Sequence, residues 1–185
     1  MKTVKTILVI VAILVSLLIY LGTRTKNQSI DHYNAGVKFD ESHDMDKAIA
    51  EYREAIRIAD DNSNAHYNLG VDLNAKGRTD EAIAEFRAAI KADQNNASAH
   101  YNLGVILGGN GKEDDATAEY REAIRVDPKY AKAHNNLGLC LEHKGKTADA
   151  IAEYKTAIEA DPKMVSAQSN LKRLAGAGTG SEAGK

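Results

Sequence analysis

Tryptophan is absent from this 185-residue chain, and phenylalanine and proline occur only twice each. A core must therefore be built mainly from Ala, Leu, Ile and Val, which suits closely packed helices better than thick sheets. A single cysteine, Cys140, excludes an internal disulfide, and we interpret it as a small buried apolar residue. The formal charge of −2 lacks the basic excess that nucleic-acid binding needs.

A long apolar run is present only at the N-terminus. The segment from Thr6 to Gly22 carries no charge, and basic residues stand on both sides of it. Because about 17–25 apolar residues span a bilayer as a helix, we predict a transmembrane signal anchor over residues 1–22 and a linker over 23–28. A cleaved signal peptide is the alternative, although Tyr20 stands where its cleavage site wants a small residue. The flanking charges nearly balance, and the short N-terminal tail favours a repeat domain on the periplasmic or extracytoplasmic side.

The rest of the chain repeats with a constant period. Gly36, Gly70, Gly104 and Gly138 are equally spaced, and ladders of His, Asn, Ala and Tyr or Phe keep the same register. Several ladders in one register indicate a repeat architecture. We predict four units, at 29–62, 63–96, 97–130 and 131–164.

Each unit reads as two helices joined by a turn. Apolar residues recur at helical spacing on both sides of Gly77, which suits a left-handed cap at the end of the first helix. Asp127-Pro128 ends a second helix, because a residue before proline avoids the α region. Residues 165–175 begin a fifth unit without a partner helix and are predicted to cap the stack. Residues 176–185, GAGTGSEAGK, are predicted to form a flexible tail.

The spacing resembles the tetratricopeptide repeat (TPR), and the resemblance covers positions 29–164. The third unit carries the pattern as His100, Leu103-Gly104, Leu107, Ala116, Tyr120, Ala123 and Pro128. Histidine replaces the usual tryptophan throughout, and Asp60 and Gln94 replace proline in the first two units. The resemblance implies an all-α, right-handed superhelical solenoid of four helix-turn-helix units with a C-terminal capping helix. One transmembrane helix would precede it.

The first helix of each unit has a second stripe at helical spacing, separate from the core stripe. The resemblance implies that this stripe lines a concave groove, where an Asn ladder holds the backbone of an extended peptide in some members of the family. A side-chain amide offers the acceptor and donor that a peptide group needs. The predicted partner-binding residues are Tyr33, Asn34, Asn64, Tyr67, Asn68, Val71, Tyr101, Asn102, Val105, Lys132, Asn135, Asn136 and Asn170.

The Asn ladder also has a structural interpretation, in which it ties neighbouring helices together. The two uses predict different results for Asn68→Ala with Asn102→Ala, which would weaken partner binding in one case and stability in the other. Family members that clamp a ligand's C-terminal carboxylate do so with basic residues in the groove. Lys132 is the one basic match, so a carboxylate-terminated ligand is not expected to dominate.

No catalytic, metal or cofactor motif is recognised. Helices pack about 8–10 Å apart, so histidines one repeat apart do not share an ion and instead fill the aromatic position of the repeat. Glu51, Glu85, Glu119 and Glu153 are interpreted as copies of one outward position. We predict a non-enzymatic membrane scaffold that binds a partner protein and takes no cofactor, nucleic acid or small-molecule substrate. An exported soluble protein that self-assembles or serves as an assembly factor is the alternative, and the capping helix argues against end-to-end stacking.

Overall fold

The computed structural model describes the backbone of residues 2–179 and the side chains of residues 10–176. This part of the chain is helical throughout and contains no strand, which confirms the predicted all-α class. Residues 2–179 form nine successive helices: α1 Lys2–Glu41, α2 Met45–Ile58, α3 Ser63–Ala75, α4 Thr79–Ala92, α5 Ala97–Gly109, α6 Glu113–Val126, α7 Ala131–His143, α8 Thr147–Ala160 and α9 Val165–Thr179.

The chain divides into two compact units, residues 1–92 and residues 93–185. In the first unit α1 packs on α2, α2 on α3, and α3 on α4. In the second unit α5 packs on α6, α6 on α7, α7 on α8, and α8 on α9. Each therefore contains two helix-turn-helix repeats, and the second also contains the additional helix α9.

Helix α1 differs from its prediction, because it runs without a break from the apolar segment into the first repeat. Residues 23–28, predicted as a linker, are helical. They contain no proline or glycine, and the hydroxyls of Thr23 and Thr25 donate to the carbonyls of Tyr20 and Gly22 at 2.8 and 2.9 Å. This segment advances about 9 Å, at about 1.5 Å per residue, instead of the roughly 20 Å of an extended chain.

The apolar part of α1 is exposed. Large aliphatic side chains from Ile10 to Leu21 keep between 46% and 69% of their surface accessible. Within the described residues, α1 is the one helix that is long and apolar enough to cross a membrane. A signal sequence near an N-terminus has the same properties. Met1 lies outside the described residues.

The turns inside the repeats need a left-handed residue, as predicted for Gly77. Gly77, Gly111 and Gly145 have φ angles of 74°, 76° and 71°. The equivalent position in the first repeat is His43, with a φ of 61°. A non-glycine residue pays a steric cost of about 1–2 kcal/mol there, because its Cβ approaches the following carbonyl.

Replacing His43 by glycine is expected to raise the free energy of unfolding by about 0.5–1 kcal/mol, because relief of this contact exceeds the greater flexibility of glycine in the unfolded chain. Chemical denaturation of the full chain in detergent measures the change. Gly77→His is the matched reverse substitution and should destabilise. A His43→Gly protein less stable than the wild type would contradict the assignment of strain to this turn.

The core follows the predicted ladders of small and aromatic residues. In α4, Ala82, Phe86 and Ala89 are at most 1% exposed, and their equivalents in α2, α6 and α8 are at most 4% exposed. The paired first helix offers a glycine to each ring. A Cβ built on Gly70 would lie 2.9 Å from Phe86 Cε1. In each repeat, the aromatic ring of the second helix thus packs against the glycine of the first helix, where no side chain is in its way.

The C-terminal end is more helical than predicted. Helix α9 begins at Val165, as expected for the capping helix, but continues to Thr179, past the predicted end at residue 175. Residues 176–179, which we predicted as the start of a flexible tail, contain no proline to stop the helix, and α9 continues through them despite the low helix propensity of Gly176 and Gly178. The rest of that predicted tail, residues 180–185, lies outside the described residues.

Candidate functional site

The predicted stripe in unit 1–92 is only partly committed to the core. Tyr33 and Tyr67 are half-buried, and their rings lie 5.9 and 6.0 Å from those of Tyr52 and Phe86 in the paired helix. Val71 keeps 39% of its surface. Asn34 and Asn64 are also exposed. In this unit the stripe therefore exposes the amides of Asn34 and Asn64 and the side chain of Val71 to solvent. Its tyrosines are held by aromatic contacts with the paired helix.

The Asn ladder bonds within the protein at several positions. Asn68 Nδ2 donates to Tyr52 Oη at 3.2 Å, across the boundary between the first two repeats. Asn136 Nδ2 lies 3.5 Å from the hydroxyls of both Tyr101 and Tyr120. These contacts support a structural role for the Asn ladder, in addition to its predicted role in binding. Asn34, in the first repeat, has an exposed side chain.

The stripe in unit 93–185 changes character along the chain. Tyr101 is half-buried, with its ring 6.0 Å from Tyr120 and 5.1 Å from Tyr130. Val105 is 39% exposed, Lys132 is exposed, and Asn102 is half-buried. Further on, Asn135 is only 7% exposed and accepts a hydrogen bond from Asn170 at 3.2 Å. Asn135 and Asn170 therefore join α7 to α9, and their amides differ from the exposed amide of Asn64.

The histidine ladder does not stand alone, because a glutamate from the second helix of the same repeat meets each ring. The Nδ1–Oε2 distances are 2.6 Å for His32 with Glu51, 2.7 Å for His66 with Glu85, 2.7 Å for His100 with Glu119 and 2.6 Å for His134 with Glu153. The prediction that these four glutamates merely point outward is wrong. Each is half-buried against its histidine.

Two of these histidines have acceptors on both ring nitrogens. Nε2 of His66 lies 3.1 Å from the carbonyl oxygen of Asp60, and Nε2 of His134 lies 3.1 Å from that of Pro128. Both nitrogens can donate only in the imidazolium form. The hydrogen bond that His134 donates to Glu153 raises the pKa of His134 against the opposing effect of burial. Burial has the largest influence on His66 and lowers its pKa, but the bonds to Glu85 and Asp60 together outweigh it and leave the pKa raised.

A raised pKa makes stability depend on pH. A histidine whose pKa is higher in the folded state than in the unfolded state stabilises the folded protein when it is protonated. This stabilisation is complete below the unfolded pKa, near 6.5, and is lost as the pH rises through the folded pKa. We expect the free energy of unfolding to fall as the pH rises above about 6.5, as measured by urea titration at each pH. In His134→Phe, which fills the aromatic position without a charge, the fall should be smaller. An identical pH profile in the two proteins would contradict the charged pairing.

Carboxylates occupy the end of the first helix in two repeats. Tyr52 Oη donates to Asp40 Oδ2 at 2.5 Å, and Tyr154 Oη donates to Glu142 Oε2 at 3.0 Å. Burial, followed by these bonds, raises the pKa of both tyrosines. Arg173 of α9 holds Glu142 in a two-pronged ion pair, which lowers the pKa of Glu142. The equivalent carboxylate, Asp40, instead faces Asp72 of α3.

Residues 10–176 meet the requirements of neither a metal site nor a reactive cysteine. That part of the chain contains no group of three or more His, Cys, Asp or Glu side chains placed to hold a metal ion. Cys140 is 9% exposed, and burial raises the pKa of its thiol, as expected for a structural cysteine. The glycine-rich segment 108–112 forms the end of α5 and its turn.

The sequence did not reveal the acidic pair of Asp40 and Asp72 or the four His–Glu pairs. Asp40 and Asp72 each occur once in their ladders, so no periodicity marks them. The His and Glu ladders share one period, and each glutamate follows its histidine at a constant offset of 19 positions. That constant offset was the available signal, because residues in two fixed ladders keep the same mutual geometry in every repeat.

Two sequence families match the chain. The family described as "Tetratricopeptide repeat" matches residues 101–165, and that described as "TPR repeat" matches residues 41–71 and 72–111. Together the matches cover residues 41–165 without a gap. No curated protein matches the chain.

Solved structures share the same fold. A crystal structure of MamA is 25% identical, with a TM-score of 0.67 over 74% of this chain and 80% of MamA. PilF of Pseudomonas aeruginosa is 21% identical, with a TM-score of 0.71 over 81% of this chain and 68% of PilF. MamA of Desulfovibrio magneticus RS-1 is 19% identical, with a TM-score of 0.69 over 80% of this chain and 83% of that one. Repeat period, helix pairing and family matches agree, and the chain belongs to the tetratricopeptide repeat family.

Proposed function

We propose that this protein is a non-enzymatic, membrane-anchored scaffold that binds an extended segment of a partner protein along the stripe of the first helices. The TPR fold is a scaffold for protein–protein interaction. The observation that carries the proposal is the exposure of stripe residues at helical spacing. Val71 and Val105 are 39% exposed at equivalent positions, and the amide of Asn64 is exposed beside Val71.

The chemistry of the stripe suits an extended peptide. An exposed amide supplies both a donor and an acceptor, so it can pair with a peptide N–H and C=O whatever the neighbouring side chain. Half-buried tyrosines add flat apolar area with a polar tip, and their conformations are already limited by the aromatic contacts of Tyr33 and Tyr67. Because these rings are ordered before binding, little side-chain entropy is lost when a ligand covers them.

Anchoring rests on the exposed apolar part of α1. Aliphatic side chains that remain 46–69% accessible between Ile10 and Leu21 are unfavourable in water, and a bilayer core would cover them. The helix then enters the first repeat directly, so the stripe would work within about one helix length of the membrane surface. The partner would accordingly belong to a membrane complex, with the repeats on the exported side.

Site-directed photo-cross-linking of the full chain in its native membrane tests this proposal. A benzophenone amino acid at Val71 is expected to capture a partner protein, because this side chain lies exposed in the stripe. The same group at Ala84, exposed on α4 outside the stripe, is the matched control and should not. Asn68→Ala is a poor probe, since loss of its bond to Tyr52 also lowers stability.

The outcomes separate the proposal from its alternatives. A partner linked from position 71, in a chain that retains residues 1–22, supports the anchored scaffold. Links only between copies of the chain, in a protein that begins after Gly22, would favour the exported self-assembling protein. Equal capture of the same proteins from positions 71 and 84 would contradict a role for the stripe.

A further inference from the structure

Two carboxylates meet beside the stripe in unit 1–92. Asp40 lies in the last turn of α1 and is half-buried, whereas Asp72 of α3 is only 6% exposed. Oδ2 of Asp72 is buried without a hydrogen-bond partner. A proton shared with Asp40 satisfies this oxygen, but once the pair is ionised the oxygen has no donor, so the ionised pair favours a cationic group that the isolated chain does not supply.

The neighbours of this pair are already engaged. Asp40 accepts the hydroxyl of Tyr52 at 2.5 Å, and that hydroxyl accepts from Asn68 at 3.2 Å. Lys76, the residue that follows the end of α3, lies 2.6 Å from Asp46 of α2, with which it forms an ion pair. Among the described residues, no Lys or Arg forms an ion pair with either Asp40 or Asp72.

The acidic pair is not a by-product of the repeat. If it were, the same ladder positions would be acidic in the other repeats. The equivalents of Asp40 are Asn74, Gly108 and Glu142, and those of Asp72 are Lys38, Ile106 and Cys140. The pair is therefore specific to one place in the chain, as expected of a recognition element and not of an architectural one.

Unit 93–185 shows which group fits such a carboxylate. Glu142 stands at the position of Asp40 and accepts a tyrosine hydroxyl in the same way. There the guanidinium of Arg173 completes the cluster, with Nη2 2.7 Å from Oε2 and Nη1 bonded to Oε1. Arg173 follows Glu142 by 31 positions, and the same step from Asp40 leads to the exposed Val71. Unit 1–92 therefore has a valine at the position where unit 93–185 has the arginine that pairs with the carboxylate.

We propose that Asp40 and Asp72 receive the guanidinium of an arginine side chain carried by the bound partner segment. The ligand would supply in unit 1–92 the charge that Arg173 supplies in unit 93–185, and the inference rests on the proposed function. Asp40, being half-buried, provides the approach, and Asp72 lies behind it. A planar guanidinium presents several donors in one fork, which suits two carboxylates better than a point charge does.

The pair also links binding to a proton. Burial, followed by the charge and hydrogen bond of Asp40, raises the pKa of Asp72 to about 7, and Lys76 lowers it only in part. At neutral pH a large fraction of the molecules therefore keeps a proton on the pair. A guanidinium favours the ionised form, so binding releases that proton. Affinity should increase about tenfold from pH 6 to pH 8, as follows from a single pKa near 7.

Two small peptides test the inference on the full chain in detergent micelles. One is an acetylated and amidated peptide with a single arginine between alanines, and the other carries citrulline, the neutral analogue of arginine, at that place. Binding is followed by the amide resonances of Asp40, Val71 and Asp72. We expect at least fivefold weaker binding of the citrulline peptide at pH 8.

Asp40→Asn and Asp72→Asn are each expected to abolish the preference for arginine, and Asp72→Asn is expected to remove the pH dependence. Both substitutions keep the shape of the side chain, and circular dichroism confirms folding. Asp80→Asn, the same charge change at an exposed site on α4, should leave the preference unchanged.

Equal affinity for the two peptides, unaltered in the two variants, would overturn the inference. The proposed function would then still be decided by the cross-links from position 71. Larger resonance shifts with Mg²⁺ or Ca²⁺ than with the arginine peptide would likewise overturn it in favour of a metal site.

Discussion

Gly104→Val is expected to lower the free energy of unfolding by about 3 kcal/mol, at the upper end of what overpacking a tight core typically costs. A Cβ at this position would lie 2.8 Å from Cε1 and 2.9 Å from Cδ1 of Tyr120, and 3.3 Å from Cβ of Glu119. The Tyr120 ring is 4% exposed and has little room to move. Valine adds two further methyl groups to this contact, so α5 and α6 would have to separate. Urea denaturation followed by circular dichroism measures the loss.

Gly109 on the same helix provides the matched control. A Cβ built there meets nothing within 4 Å, so Gly109→Val should change stability by no more than about 0.5 kcal/mol. A smaller ring partner should also relieve the strain. Gly104→Val combined with Tyr120→Leu is expected to lose less stability than the two single substitutions added together. Full additivity, or a stable Gly104→Val protein, would show that the two helices are not held at this distance.

Replacing both Leu14 and Leu18 by arginine is expected to abolish membrane retention. The two side chains are 52% and 69% exposed and lie one turn apart in the middle of the apolar run. Each arginine at the centre of a spanning helix costs about 2.5–3.5 kcal/mol on insertion scales, so the pair lowers partition by about four orders of magnitude. The readout is the fraction of the protein that stays in the membrane pellet after extraction at alkaline pH.

Arginine at Thr23 and Asn27 is the control for this experiment, because it adds the same charge one turn apart beyond the apolar run. That variant should remain in the pellet, where its charges would lie beside the headgroups. If the wild type itself is recovered in the soluble fraction without residues 1–22, the segment is a cleaved signal peptide. In that case the Leu14 and Leu18 substitutions would prevent export of the protein, and membrane retention would not be the property that they change.

The sequence by itself determined the features that depend on local periodicity. The evenly spaced ladders located the helix pairs, the turn at Gly77 and the buried rings such as Phe86, because a residue's place on a helical face follows from its spacing along the chain. Gly104 belongs to one of these ladders, and a glycine in a helical core stripe indicates that a neighbouring helix approaches closely. The sequence did not reveal that α1 continues through residues 23–28, because a change of composition does not require a break in the helix.

The tertiary structure decided which polar side chains meet. His66 with Glu85, Asn68 with Tyr52, and Asp40 with Asp72 each join two different helices. Such contacts depend on the rotation and axial shift of one helix against another, and those offsets are set by packing of the whole core. Periodicity places a residue on a face, whereas only packing brings two faces within hydrogen-bonding distance.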